Sequence, residues 1–236
     1  MILLVLAIVL AVLHWIAVLI ESRWLVGATK PTMMLALIAW VWIYSDLPAL
    51  LAQPETFRLL WFVLGLSFSL AGDVFLLWPK HLFTPGLVAF LIGHVFYILG
   101  FSRLLVPGGA IVVCLVVAIV QAGCGVWVYR RLARGLEASG ASRMKIPVGV
   151  YALVISIMLD SAIISLADPA WSKIPAVLVS VGALLFFTSD IMNGWNRFVA
   201  PIPNERIKIM VTYHLGQLGL AVGTTTHFIA LYADLR

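Results

Sequence analysis

Long apolar runs separated by short polar breaks make up almost the whole chain. Each run is about as long as the ~20 residues that one bilayer crossing needs, and the breaks contain charges, proline or glycine. Pro31, Pro85, Pro147 and Pro175 are expected at helix starts, where a missing N–H costs little. The pattern predicts an all-α fold, a polytopic membrane bundle of eight transmembrane helices. The predicted helices span 2–21, 31–52, 58–78, 85–105, 109–129, 146–167, 174–197 and 207–232.

The composition excludes a water-soluble globule. Of the 236 residues, 63% are hydrophobic and only 11% are charged, and the mean hydropathy is +1.11. These values are typical of an integral membrane protein, so residues 1–236 are expected to form a single integral membrane domain with its site inside the bundle. The first run has no basic segment before it and no small-residue cleavage site, so we expect a retained helix.

The basic residues predict the orientation of the bundle. The net charge is +5, but these residues lie in short alternate loops, which indicates membrane topology and not nucleic-acid binding. Eleven fall on one side, which the positive-inside rule makes cytoplasmic: Arg23, Lys30, Lys80, Arg130, Arg131, Arg134, Arg143, Lys145, Arg197, Arg206 and Lys208. The other side holds four: Arg58, Arg103, Lys173 and Arg236. Both termini are therefore expected outside the cytoplasm, and in a bacterium the protein would lie in the inner membrane.

The two halves of the chain share an order of features. Lys30 precedes Asp73 by 43 residues, and Lys145 precedes Asp190 by 45 residues, with an aromatic and a histidine following each aspartate. Corresponding helices four apart would have the same orientation, as in a parallel four-plus-four internal repeat. The alternative is a short coincidental match.

Two aspartates lie in the predicted helices at matching depth. Asp73 is near the cytoplasmic end of the third predicted helix and Asp190 is near that of the seventh. A carboxylate within a membrane helix costs about 2.5–3.5 kcal/mol at the bilayer centre, so it is seldom retained without a partner or a role. A structural pair with Lys30 or Lys145 is the alternative to a functional site. The deeper Asp160 is expected to be a satisfied polar group of the core.

Two further pairs of polar side chains are expected to face one cavity. His94 and Tyr97 are three residues apart, and Tyr213 and Gln217 are four apart, so each pair lies on one helical face. Taken singly, such residues more often make structural hydrogen bonds between helices, but an aspartate in the preceding helix favours a site. His14 lacks such neighbours in the sequence and is assigned no role.

The sequence lacks the common short motifs of metal-dependent and serine hydrolases. No HExxH, CxxC or GxSxG motif is present, so no metal ligand and no serine nucleophile is assigned. A zinc-dependent ceramidase-like hydrolase is one alternative, because Asp73, Asp190, His94 and His214 come from different helices and could converge on zinc. A small proton-coupled transporter is the other, since carboxylates within membrane helices and repeats also occur in carriers.

Five segments of the sequence form a recognisable set of motifs. They are Lys30-Pro31, GDVFLLWPKHLFTPGLVAFLIGHVFYILGF at 72–101, YALVISIML at 151–159, GALLFFTSDIMNGWNRF at 182–198 and YHLGQ at 213–217. Taken together, these motifs resemble the YhhN/TMEM86 family of lysoplasmalogenase-like membrane proteins. Two residues depart from that pattern: His214 stands where the family often has tyrosine, and Asp160 stands where an aromatic residue is usual. Neither is carried over as a catalytic residue.

The resemblance implies hydrolysis of the vinyl-ether bond of a lysoplasmalogen to a fatty aldehyde and a glycerophospho-ethanolamine or -choline. This chemistry needs one acid and one base, and two carboxylates in different environments can divide those roles. We therefore expect Asp73 and Asp190 to be catalytic, acting on a lysophospholipid within the bilayer without a cofactor. The residues expected to bind or orient the substrate and water are Lys30, His94, Tyr97, Tyr151, Asn196, Tyr213 and Gln217.

Overall fold

A computed structural model describes residues 1–101 and 111–235 and is all-helical over those ranges, with no strand among the described residues. Eight of the helices in this part of the chain are 17 residues or longer, and one has five. The predicted all-α class is confirmed. The helices are α1 Ile2–Leu19, α2 Arg23–Tyr44, α3 Leu47–Leu51, α4 Leu59–Phe75, α5 Pro79–Phe101, α6 Ile111–Ala138, α7 Lys145–Ile164, α8 Lys173–Phe198 and α9 Glu205–Asp234.

Six of the described helices are long and apolar enough to cross a membrane: α1, α2, α5, α6, α7 and α8. The apolar α4 has 17 residues, slightly fewer than the ~20 that one straight crossing needs. The long α9 is not among the six, and it carries the polar Tyr213, His214 and Gln217 together with a run of threonines. These helices satisfy their own backbone hydrogen bonds, which is the condition for spanning lipid.

Two of the four prolines do not open helices as the sequence predicted. Pro147 and Pro175 lie in the first turns of α7 and α8, but Pro31 and Pro85 lie inside α2 and α5. In α5 the helix is interrupted at Leu82 (φ −116°, ψ 17°), three residues before Pro85. A proline lacks its N–H and crowds the preceding turn, so a kink there is the expected accommodation.

Other boundaries also differ from the predicted ones. The predicted helix 31–52 is two elements, because the chain turns at Asp46 (φ 49°), ahead of Pro48. The predicted helix 109–129 continues to Ala138, since the arginines, leucines and alanines after 129 are good helix formers. Arg103, Gly108-Gly109 and the terminal Arg236 lie outside the described residues.

Sequential helices pack as hairpins, and α9 runs through the middle of the bundle. The pairs α1–α2, α4–α5, α6–α7 and α8–α9 are in contact, and α9 also contacts α1, α2 and α4. The backbones of α8 and α9 approach closely: a Cβ added to Gly182 would lie 2.7 Å from the backbone nitrogen of Leu220. Small residues are what allow membrane helices to pack this closely. By contrast, only 6% of the residues in the 18-residue apolar stretch of α6 are buried inside the protein.

Candidate active site

A cavity with an apolar wall and a few polar groups opens between the helices at the end where the basic residues collect. It encloses about 1070 Å³ of empty space, part of it open to the outside. Helices α2 and α4 to α9 all contribute to its wall. Such a mainly apolar cavity with few converging polar groups is the usual form of a small-molecule site. The polar side chains that line it are Lys30, Asp73, Tyr151, Ser156, Ser189, Asp190, Asn193, Arg197 and Tyr213.

Asp73, near the end of α4, is held by two polar partners. The Lys30 ammonium on α2 lies 2.9 Å from Asp73 Oδ1, and the Tyr213 hydroxyl on α9 donates to Asp73 Oδ2 at 2.7 Å. The Asp73 side chain is 1% exposed and that of Lys30 is 9% exposed. A buried carboxylate and a buried ammonium are each costly alone, so each partner lowers the cost of burying the other.

Asp190, in α8, has a different environment. The Tyr151 hydroxyl on α7 donates to Asp190 Oδ2 at 2.5 Å, and His94 Nε2 on α5 lies 3.7 Å from the same oxygen. Its side chain is 16% exposed, and no lysine or arginine among the described residues lies within ion-pair distance of it. The two aspartates therefore share one cavity wall but differ in charge partner and accessibility.

Tyr97 and Gln217 lie behind the cavity wall. The Tyr97 hydroxyl on α5 donates to Gln217 Oε1 on α9 at 2.7 Å, and both side chains are fully buried. The Tyr97 ring occupies the space where a side chain at Gly65 would be, so the close α4–α5 packing depends on that glycine. The helix face with His94 and Tyr97 and the face with Tyr213 and Gln217 do meet, as the sequence spacing predicts. Tyr97 and Gln217, however, make a hydrogen bond between helices and do not line the cavity.

Three other polar residues lie away from the cavity. Asn196 Oδ1 accepts a hydrogen bond from the backbone N–H of Ile202 at 2.9 Å, so it shapes the turn between α8 and α9. Lys145 pairs with Glu137 at the end of α6 and does not reach Asp190. Asp160 lies in a separate gap between α6 and α7, where its Oδ1 is buried without a hydrogen-bond partner among the described residues, so it is not the satisfied group expected from the sequence.

The matching family model, described as the YhhN family, covers residues 22–224. The chain belongs to the YhhN family. It is 33% identical over 189 residues to human lysoplasmalogenase TMEM86A, covering 78% of this chain and 72% of the relative. It is 29% identical to mouse lysoplasmalogenase TMEM86B over 91% of this chain and 81% of the relative. A lysoplasmalogenase of Mycobacterium tuberculosis is 30% identical over 69% of this chain and 59% of the relative. No solved structure matches the chain.

Two features of this family member escaped the sequence prediction. His14 and His214 have ring centroids 5.0 Å apart, and Trp15 Nε1 donates to His214 Nδ1 at 3.1 Å. The sequence assigns His14 no role, because His214 is at the other end of the chain. Only the contact between α1 and α9 brings the two histidines together. Arg197 was counted only as a topology charge, although it follows Asp190 by seven residues, a spacing that places both on one face of α8.

Metal ligands do not gather in the described part of the chain. Among residues 1–101 and 111–235, no three His, Cys, Asp or Glu side chains converge as a metal site would require. His214, one of the residues considered for zinc, contacts Trp15 and His14 instead of the aspartates.

Proposed function

We propose that this chain is a lysoplasmalogenase that hydrolyses the vinyl-ether bond of a lysoplasmalogen by carboxylate acid/base catalysis. The observation that carries the proposal is the position of Asp73 and Asp190, from different helix pairs, in the wall of one mainly apolar cavity. The family and the relatives named lysoplasmalogenase supply the substrate class.

The reaction needs a proton on carbon and then a water molecule. Protonation of the alkenyl carbon that is not bonded to oxygen leaves an oxocarbenium ion at the neighbouring carbon. Water adds to that carbon and loses a proton, and the resulting hemiacetal collapses to a fatty aldehyde and the free hydroxyl of the glycerophospholipid. The sum is vinyl ether plus water giving aldehyde plus alcohol, so no oxidant or reductant is consumed. Glycosidases stabilise a similar cation with two carboxyl groups.

The different environments of the aspartates suggest how the roles divide. The Lys30 ammonium lies 2.9 Å from Asp73 and favours its charged form, so Asp73 is assigned as the base that takes the proton from water and as the counter-charge for the cation. Asp190 has no such partner in the described chain and is the more exposed of the two, so it is assigned as the proton donor. Two carboxyl groups held in opposite protonation states are a recurrent solution for acid/base catalysis.

The neighbouring hydroxyl and imidazole groups have positioning roles. The Tyr151 hydroxyl fixes one oxygen of Asp190, with His94 Nε2 3.7 Å from that oxygen, and the other oxygen is assigned to the substrate. Tyr213 fixes Oδ2 of Asp73, whose Oδ1 faces the Lys30 ammonium. Tyr97 and Gln217 act one layer further out, by holding α5 against α9.

The eight long helices are assigned as eight crossings of the bilayer, with both termini on the non-cytoplasmic face and, in a bacterial cell, in the inner membrane. The parallel repeat is part of this proposal. It is supported by the pairing of α4 with α5 and of α8 with α9, and by Gly65 and Gly182, each of which contacts the other helix of its hairpin and lies eight residues before the aspartate.

Aldehyde release from defined lysoplasmalogen by purified protein in detergent tests the function. We expect Asp73→Asn and Asp190→Asn each to reduce turnover by at least about a hundredfold, the lower range for loss of a general acid or base. Asp160→Asn is the matched control. It also changes an aspartate in a helix, but the Asp160 side chain lies outside the cavity. An ester lysophospholipid of the same chain length is the substrate control.

Two results would count against the proposal. Full turnover by folded Asp73→Asn and Asp190→Asn would remove the carboxylate mechanism. Absence of aldehyde from folded, monodisperse wild-type protein would remove the reaction itself, and transport assays in vesicles would then take priority.

A further inference from the structure

One cation in the cavity wall is not used by the catalytic carboxylates. Lys30 and Arg197 are the cationic side chains that line the cavity, as far as the described residues show, and Lys30 is paired with Asp73. Arg197, in the last turn of α8, is exposed, and no carboxylate in the described ranges is within ion-pair distance of it.

The Arg197 guanidinium is stacked on an aromatic ring. It lies over the Phe83 ring, 3.7 Å from the centroid, and 5.7 Å from the centroid of Phe198. A guanidinium stacked on an aromatic face keeps its N–H donors free along its edge, where they can bind an anion such as phosphate in a bidentate way. The ring therefore positions the cation without neutralising it.

The spacing along α8 matches the geometry of a lysophospholipid. Asp190, Asn193 and Arg197 all line the cavity and follow one helical face, and seven residues rise by about 10 Å. Six covalent bonds separate the vinyl-ether carbon next to oxygen from the phosphorus, which at ~1.2 Å per bond of an extended chain is about 7 Å. Because the arginine side chain can bend, a phosphate at Arg197 leaves the vinyl ether beside Asp190.

We propose that Arg197 is the phosphate-binding residue of this site and that it makes the enzyme select a phospholipid over the corresponding neutral alkenyl- or alkylglycerol. This inference rests on the proposed function for the identity of the lipid. It also places the head group at the basic rim of the cavity and the hydrocarbon chain along the apolar walls contributed by α6 and α7.

A binding experiment with a lipid that cannot react tests the proposal. The probes are a 1-O-alkyl lysophosphatidylethanolamine, which keeps the phosphate but has no vinyl double bond, and the 1-O-alkylglycerol of the same chain length. We expect Arg197→Gln to weaken binding of the phospholipid about tenfold, the loss of one charge-assisted hydrogen-bonding group, and to change binding of the alkylglycerol less than twofold. Arg197→Lys should retain part of the preference.

Arg131→Gln is the matched control. Arg131 also lies over an aromatic ring, 5.5 Å from the Trp127 centroid, but it does not line the cavity. It should bind both lipids as wild type does. Equal losses of both lipids in Arg197→Gln would show that Arg197 only stabilises the bundle end, and no loss of either, or no binding by wild type, would overturn the phosphate site.

Failure of the inference and failure of the proposed function can be told apart. Selective binding of the phosphate lipid through Arg197 without any aldehyde release would overturn hydrolysis and support the phosphate site. Aldehyde release with the same KM in Arg197→Gln and wild type would support hydrolysis and overturn the phosphate site.

Discussion

The Lys30–Asp73 pair offers the sharpest test of how this bundle holds charge. Replacing Lys30 with methionine keeps much of its apolar stem but leaves the Asp73 carboxylate, 1% exposed, with only the Tyr213 hydroxyl. Removing one partner of a buried ion pair costs about 3–5 kcal/mol, because the remaining charge is left unpaired. The double variant Lys30→Met/Asp73→Asn contains neither charge and should recover most of that loss.

The magnitude follows from a double-mutant cycle. If Lys30→Met costs about 3 kcal/mol and the double variant about 1 kcal/mol, the two sites are coupled by at least about 2 kcal/mol, well above the ~0.5 kcal/mol expected of independent sites. Denaturant titration in mixed micelles, followed by the fluorescence of the nine tryptophans, gives the four free energies of unfolding. Additive effects of the single variants would refute the buried pair.

The exposed pair Lys145–Glu137 is the control for the same cycle. Its side chains are 29% and 57% exposed, so solvent screens the attraction. Lys145→Met should therefore cost less than about 1 kcal/mol, with little recovery in the double variant. A loss as large as that of Lys30→Met would show that lysine removal alone destabilises this protein.

Three further predictions concern single contacts. Tyr151→Phe removes the hydroxyl donated to Asp190 and should lower kcat about tenfold with little change in stability, as measured by aldehyde release and denaturant titration; unchanged kcat would contradict its positioning role. Gly182→Ala places a methyl 2.7 Å from the α9 backbone and should cost about 1–3 kcal/mol, whereas Gly123→Ala, with open space around it, should cost nothing in denaturant titration; equal effects would argue against close α8–α9 packing. Asn196→Ala should lower stability by about 1 kcal/mol without raising KM, since its side chain accepts a hydrogen bond from the backbone and does not line the cavity; a raised KM would support the substrate-binding role expected from the sequence.

The sequence determined the fold class and the positions of the helices because hydropathy and helix signals are local. Long apolar runs must satisfy their backbone hydrogen bonds internally in lipid, so the all-α class followed directly. Local signals were least reliable at the prolines. Pro31 and Pro85 lie inside helices, since the surrounding packing tolerates a lost hydrogen bond or a kink that the sequence pattern cannot show.

The sequence also indicated which polar residues were costly enough to matter, but not which of them meet. Of the two lysines placed near the aspartates by spacing, Lys30 reaches Asp73 whereas Lys145 pairs with Glu137. Asn196 matches the family motif, yet its side chain accepts a hydrogen bond from the backbone of the turn between α8 and α9.

Contacts between distant parts of the chain were decided by the tertiary structure alone. Tyr213 reaches Asp73 across 140 residues and Trp15 reaches His214 across 199, and no periodicity encodes either pair. The different partners of Asp73 and Asp190, which set their proposed roles as base and acid, arise from the same long-range packing. An ionisable residue within an apolar helix is costly without a partner, so the sequence alone reveals it as a candidate. Its protonation state and its role depend on neighbouring side chains that only the assembled helices bring near.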